Sequence, residues 1–228
     1  MEQTEPQDPP LPSPVRPPAR RSLLLVLLIG VLLAAVGIWT AVVGYKSWIE
    51  SQFDTRPPKR QPLNAPYIPS PQDVVDTMLE AADLDENDVV FDLGCGDGRI
   101  VITAAKRYGC RGVGFEYDPK IAELARANVE KEGVADLVSI EERDIFTIEP
   151  AEMNRASVIT LYLLPWMNEK LQPTLARLEP GKVILSHDWD LPGIEPDRIA
   201  RLDSQFDDAR VEHRIYVWTT PLKKVGQK

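Results

Sequence analysis

From residue 89 onward, short apolar runs alternate with longer amphipathic ones. VVFDLG (89–94) ends in a glycine turn, GVGFEY (112–117) follows, then LVSIEER (137–143), SVITLYLL (157–164), which is the most apolar, and KVILSH (182–187). Runs of this length, rich in β-branched and aromatic residues, read as strands. Between them, Arg99–Tyr108, Pro119–Glu132 and the stretch through MNEKLQPTLARL carry helical spacing, and Gly133 stops the second of these. RIYVWTT (214–220) closes the chain as a last strand. This alternation predicts a mainly parallel, twisted α/β sheet with helices on both faces, whose ligands bind at the carboxyl ends of the strands.

Upstream, in YIPSPQDVVDTMLEAADL, Ser70 stands where a helix cap belongs, Pro71 in the first turn and Asp73 at the positive end. Val74, Val75, Met78, Leu79 and Ala82 then recur at helical spacing, so the globular domain is expected over 66–228. A different pattern precedes it. Leu23–Gly44 runs for 22 residues without a charge, and at about 1.5 Å per residue roughly 20 suffice to cross a bilayer core. A single membrane-spanning helix is expected over 22–45, with Trp39, Tyr45 and Trp48 at interfacial positions. Residues 1–21 are polar and proline-rich, which predicts disorder, and 46–65 read as a polar linker. Arg16, Arg20 and Arg21 on one side are matched by Lys46, Arg56, Lys59 and Arg60 on the other, so flanking charge does not orient the helix.

The chain holds 35 acids and 26 bases, of which five and seven fall in the first 60 residues, leaving −11 for the remainder. That balance disfavours a nucleic-acid backbone as partner, which draws on clustered Lys and Arg. Cys95 and Cys110 are too far apart for a Cys-x-x-Cys motif, and neither has a histidine at ligand spacing, so no metal is expected. Both read as packed, reduced thiols.

The chemistry concentrates in FDLGCGDGR (91–99). Gly94 and Gly96 suit a sharp strand-to-helix turn that a ligand approaches closely. The dinucleotide fingerprint G-x-G-x-x-G would need a glycine at 99, where Arg99 stands, and no G-K-[ST] follows for a phosphate loop. Asp92, Asp97, Glu116 and Asp144 surround the turn with carboxylates, which repel a pyrophosphate and suit a cation. Glu116, about twenty residues past the glycines, is placed to accept ribose hydroxyls.

With the DLGCGDG loop, the GFEYDP and ERDIF strand ends and this order of elements, residues 70–190 resemble the class I S-adenosylmethionine-dependent methyltransferases, which have a Rossmann-like fold. The resemblance implies S-adenosyl-L-methionine as cofactor. It places Asp92, Gly94 and Gly96 at the methionine end, Glu116 on the ribose, Asp144 on the adenine amino group and Ile145 beside the ring. Cys95, Gly98 and Tyr117 belong to the same cofactor-binding set, with Tyr67, Pro69 and Ser70 closing over it.

A narrower resemblance rests on PYIPSP, ITLYLLP and SHDW together with the apolar helix. These look like the membrane-anchored protein-lysine methyltransferases acting on the ATP synthase c subunit or the adenine nucleotide translocase, and their bacterial relatives. The implied partner is a lysine of a protein, a membrane protein among the options. The implied location is a membrane with the catalytic domain in bacterial cytoplasm, or alternatively on the matrix side of the mitochondrial inner membrane. Methylation of a small molecule or lipid headgroup, and a non-catalytic adaptor, are the alternatives. The residues nominated beside the reacting methyl are Tyr162, Pro165 and Tyr67, with His187 and Asp188 at the end of the fifth strand. Tyr162 can equally be a core aromatic, His187 a histidine satisfied within the core, and Trp166 and Trp189 either channel walls or core.

Overall fold

A computed structural model describes Leu33, Trp39, Thr40 and residues 67–206 and 209–226. The chain divides into a unit at Met1–Asp54 and another at Thr55–Lys228. In the first, Leu33, Trp39 and Thr40 have helical backbone and are exposed. The remainder of the expected head, span and linker lies outside the described residues. Among the described residues, no helix is long and apolar enough to cross a membrane.

The second unit is built on a seven-stranded sheet. In chain order its elements are α1 (Gln72–Ala81), β1 (Val89–Leu93), α2 (Arg99–Tyr108), β2 (Arg111–Glu116), α3 (Pro119–Lys131), β3 (Val138–Glu142), a 3-10 turn (Ile145–Thr147) and α4 (Pro150–Met153). They continue with β4 (Val158–Leu161), α5 (Pro165–Leu175), β5 (Val183–His187), β6 (Arg198–Phe206) and β7 (Ala209–Thr219). The sheet order is β3-β2-β1-β4-β5-β7-β6. The first five strands are parallel, whereas β7 runs antiparallel to β5 and β6 antiparallel to β7. The order reverses between β1 and β4, and the carboxyl ends of those two strands flank the crevice where such sheets take ligands.

Alternation along each strand divides the core into two layers. On one face Val90, Val158, Leu185, Ile215 and Val217 pack with Val74, Val75, Met78 and Leu79 of α1 and Val101 and Ala105 of α2. On the other, Phe91, Leu93, Ile159, Leu161, Ile184 and Trp218 pack with Met167, Leu171 and Leu175 of α5. By the same alternation Asp92, Thr160, His187 and His213 stand on the α1 side, all buried. That layer therefore carries a polar end over an apolar one.

Three expectations change. The apolar run 157–164 leaves the sheet at Leu161, because Tyr162–Leu164 turn into α5. The final strand is longer than 214–220 and forms a hairpin with β6, which the sequence did not reveal. Its solvent side is Arg201, Asp203 and Gln205, and its inner side is Ala200, Leu202 and Ser204, too small and polar to signal burial. Finally, Pro71 rather than Ser70 occupies the N-cap of α1, with no side-chain cap bond.

β2 lies so close to α2 that Gly112 has no space for a side chain: a Cβ there would meet Val101 Cβ at 2.8 Å. Val101 is β-branched and fixed by its helix, so it cannot swing aside. Gly112→Ala is expected to destabilise the domain by about 1–3 kcal/mol through overpacking. The measurement is the urea midpoint at unchanged slope, and an unaltered midpoint would contradict the close contact.

Candidate active site

The glycine turn hangs from the neighbouring strand. Gly94 N and Cys95 N both donate to the Phe115 carbonyl, at 2.9 and 3.0 Å. Gly96 N donates to Glu116 Oε2 at 2.9 Å, while Oε1 accepts from Tyr117 N and Asp118 N at 2.8 and 2.9 Å. Glu116 is thereby fixed beside the turn, as the spacing predicted. Three bonds leave the carboxylate capacity for another donor. Gly94 and Gly96 both have positive φ, and a Cβ on Gly96 would lie 2.5 Å from the Tyr67 ring. The Cys95 side chain is free and buried against Gly114, as expected of a packed thiol, and burial pushes the thiol well above its ordinary pKa.

Asp92, next to the last residue of β1, has 1% of its surface exposed. Thr160 Oγ1 donates to its Oδ1 at 2.7 Å, and Oδ2 is buried with no hydrogen-bond partner. Burial, reinforced by Glu116 and Asp97 and opposed by Thr160, pushes its pKa up to about 7. A buried carboxylate with a spare acceptor is what an ammonium-bearing ligand would satisfy.

Arg99, standing where a dinucleotide fold wants glycine, ties the turn to the segment before α1. Its Nε and Nη2 grip Asp97 at 2.9 and 2.7 Å, and Nη1 donates to the Ser70 carbonyl at 2.6 Å. Burial alone would raise the Asp97 pKa, but the Arg99 bonds and charge hold it below its ordinary value. The Tyr67 phenol lies near Asp97 and Arg99, and burial together with the Asp97 charge pushes it up to about 12. Residues 67–70 thus form a strap held against the glycine turn, with Pro69 exposed and Ser70 buried. Tyr67 and Ser70 lie against the glycine turn, and their anchor, Arg99, was not recognised from the sequence.

Ser70 reaches the far side of the site. Its Oγ lies 2.9 Å from His187 Nδ1, and the Tyr162 ring stacks on the His187 imidazole at 4.0 Å between centroids. His187 Nε2 is 2.9 Å from His213 Nδ1, which is 2.9 Å from Asp188 Oδ2. His187 is fully buried, and desolvation, with His213 and against Asp188, lowers its pKa to about 4. Desolvation and the Asp188 charge push Tyr162 up to about 12. Asp188 adopts a positive φ of 60° and receives Arg214 N at 2.9 Å on Oδ1. His213 escaped the sequence reading. The signal was its place two residues before Ile215 in the alternating EHRIYVW, on the inward side.

The remaining nominees are more dispersed. Asp144 caps the 3-10 turn, accepting from Phe146 N at 2.9 Å, and Ile145 is buried in the α5-side core. Tyr117 is 44% exposed, and Pro165 opens α5 just past Leu164.

Comparison with known proteins agrees with this geometry. A family model described as the ANTKMT methyltransferase domain matches residues 92–198. A protein-lysine N-methyltransferase of Saccharolobus islandicus is 38% identical over 157 residues, 68% of this chain and 93% of the relative. The adenine nucleotide translocase lysine N-methyltransferase of Mus musculus is 29% identical, with 74% and 72% covered. Among solved structures, an RNA methyltransferase of Salinibacter ruber in complex with S-adenosyl-L-homocysteine is 45% identical at a TM-score of 0.61, covering 70% of this chain and 98% of that one. The methyl donor is S-adenosylmethionine. The residues present fit it, with the unpartnered Asp92 Oδ2 available to its ammonium, Glu116 to its ribose and a turn at Gly94 and Gly96 in which a Cβ would meet Leu163 and Tyr67.

Asp92 trades stability for this. Its folded pKa of about 7 lies above the unfolded value, so the associated stability is present below about pH 4 and lost as pH rises through 7. Ionising it in the folded protein costs up to about 4 kcal/mol more than in the unfolded chain. Asp92→Asn is therefore expected to raise the thermal midpoint at pH 8, with a gain that shrinks towards pH 4, while weakening S-adenosylhomocysteine binding at least tenfold by calorimetry. A lowered midpoint at pH 8 would refute the burial argument.

Proposed function

Since the chain belongs to the family of S-adenosylmethionine-dependent protein-lysine N-methyltransferases, we propose that it methylates a lysine side chain of a membrane protein while anchored by its own N-terminal helix. The observation that carries the lysine reading is the 38% identity spanning 93% of the Saccharolobus islandicus enzyme. Asp92, the glycine turn, Glu116 and His187 all fall within the family match.

The donor supplies a methyl group activated on a sulfonium. Asp92 receives the ammonium of the methionine moiety, the turn admits it closely, Glu116 holds the ribose, and Asp144 and Ile145 bound the adenine. The strap 67–70 closes over the site and excludes water. Tyr162 and Pro165, where β4 runs into α5, border the acceptor.

Displacement at the methyl needs a neutral amine, and neutralising lysine at pH 7 costs about 4.6 kcal/mol. Tyr162 and His187 are both uncharged at neutral pH, given their displaced pKa values. Tyr162 offers its phenol to the acceptor, while both nitrogens of the buried His187 are engaged by Ser70 and His213 and serve to hold the Tyr162 ring. Asp92, Asp97 and Glu116 gather around the donor, and Asp188 is turned onto His213 and Arg214 N.

Anchoring rests on the uncharged 22-residue run of Leu23–Gly44. The catalytic domain must face a compartment that supplies the cofactor, bacterial cytoplasm or, alternatively, mitochondrial matrix, and the acids at Glu2, Glu5 and Asp8 favour the former. A second reading has a specific basis: the 45% identical solved relative is an RNA methyltransferase. The −11 charge beyond residue 60 disfavours it, since RNA phosphates would be repelled.

Full-length protein incubated with methyl-labelled S-adenosylmethionine, membranes and total RNA separates these readings. Label on protein lysine, reduced at least tenfold by Glu116→Ala, is expected. Label confined to RNA would establish the second reading, and label confined to the lipid extract a headgroup substrate.

A further inference from the structure

The chain has two histidines, and the fold brings both to one point. His187 ends β5 and His213 lies on β7, two positions beyond the residue that pairs with His187. Both are buried, at 0% and 3% exposure, and Asp188 joins them with a partly exposed carboxylate. Three potential ligand atoms face one another. His187 Nε2 and His213 Nδ1 are 2.9 Å apart, His213 Nδ1 and Asp188 Oδ2 2.9 Å, and His187 Nε2 and Asp188 Oδ2 3.3 Å.

Hydrogen bonding accounts poorly for that triangle. A neutral imidazole carries one N–H, and a carboxylate carries none. If His187 Nδ1–H donates to Ser70, then Nε2 is a bare lone pair, and a single proton on His213 Nδ1 must serve two acceptors. A metal ion fits it directly. Ligands held at about 2.1 Å from a divalent ion are spaced about 3.0 Å on an octahedral face and about 3.4 Å on a tetrahedral one. We propose that His187 Nε2, His213 Nδ1 and Asp188 Oδ2 form a binding site for a divalent transition-metal ion.

Two further contacts have the form that supports metal ligands. The other nitrogen of His187, Nδ1, is 2.9 Å from Ser70 Oγ, so metal on Nε2 fixes the tautomer that donates to the strap. The other oxygen of Asp188, Oδ1, accepts from Arg214 N at 2.9 Å, and the left-handed backbone at Asp188, with φ of 60°, turns its carboxylate back over β7. Two imidazoles and one carboxylate suit zinc, with solvent on the Asp188 side completing the shell. The ion would clasp the end of β5 to β7 and, through His187 and Ser70, steady the strap over the donor site. The proposal does not depend on which acceptor is methylated.

The test uses full-length protein without a histidine tag, in detergent, after dialysis against a chelator. Titration with Zn²⁺ by calorimetry is expected to give one site per chain with micromolar or tighter affinity, and Co²⁺ a visible ligand-field band that Zn²⁺ displaces. His213→Ala should abolish both, while Cys95→Ala and Cys110→Ala leave both unchanged. Circular dichroism confirms that the histidine variant is folded, and His213→Gln provides a second variant that keeps the volume. Absence of stoichiometric binding by folded wild-type protein, or binding that survives both histidine substitutions, overturns the site and leaves a hydrogen-bonded cluster.

Discussion

A carboxylate near the carboxyl end of an interior strand is the constraint around which this domain is arranged. Asp92 of β1 is buried, and Thr160 on the next strand supplies its one hydrogen bond. An ionised group so placed costs several kcal/mol unless it is satisfied. Much of the local architecture follows from leaving one side of it open to a ligand. The next residues with side chains turn away into packing, as Leu93 and Cys95 do, while the missing side chains at Gly94 and Gly96 leave room that Leu163 and the Tyr67 ring occupy. The room at Gly96 is what allows the strap to lie on the turn.

The two layers of the sheet then differ in kind. The layer beneath α5 is apolar nearly to the strand ends, with Phe91, Leu93, Ile159 and Leu161. The layer beneath α1 changes from Val90, Val158 and Leu185 at one end to Asp92, Thr160 and His187 at the other. Period-two alternation converts this into chemistry on one face only, so the donor site, the strap and the histidine pair are contiguous. Ser70 is the joint between them. Its carbonyl is held by Arg99 and its hydroxyl by His187, so the strap is fastened from both sides of the cleft.

What the sequence disclosed and what it concealed divide on physical lines. Backbone demands were legible: the glycines of 94–98 announce a turn, and the distance from there to Glu116 follows from one helix and one strand. Buried β1 to β5 were legible because strands covered on both faces read as continuous apolar runs. The edge strand β6 was not, since an edge needs only a weak inner stripe, here Ala200, Leu202 and Ser204. Ser70 was misassigned because cap propensity is local, whereas its actual partner lies 117 residues away. His213 and Thr160 were missed for the same reason. Their significance comes from register between strands, and register is not written in any single segment.

Electrostatics poses the sharper question of how one acidic domain can draw in a lysine and then neutralise it. The excess of acids beyond residue 60 attracts a basic segment at long range, which acts on encounter. At short range the same sign of charge would hold the amine protonated and unreactive. The arrangement separates the two effects in space. Asp97 is engaged by the Arg99 fork, Glu116 by three backbone N–H groups and one oxygen of Asp92 by Thr160. On the other side, Tyr162 and His187 are themselves uncharged at neutral pH, and Asp188 is turned onto His213 and Arg214 N. On the proposed reading, a lysine attracted by the acidic exterior therefore meets uncharged groups at the point of transfer, and the charge that recruits it is not the charge that surrounds it when it reacts.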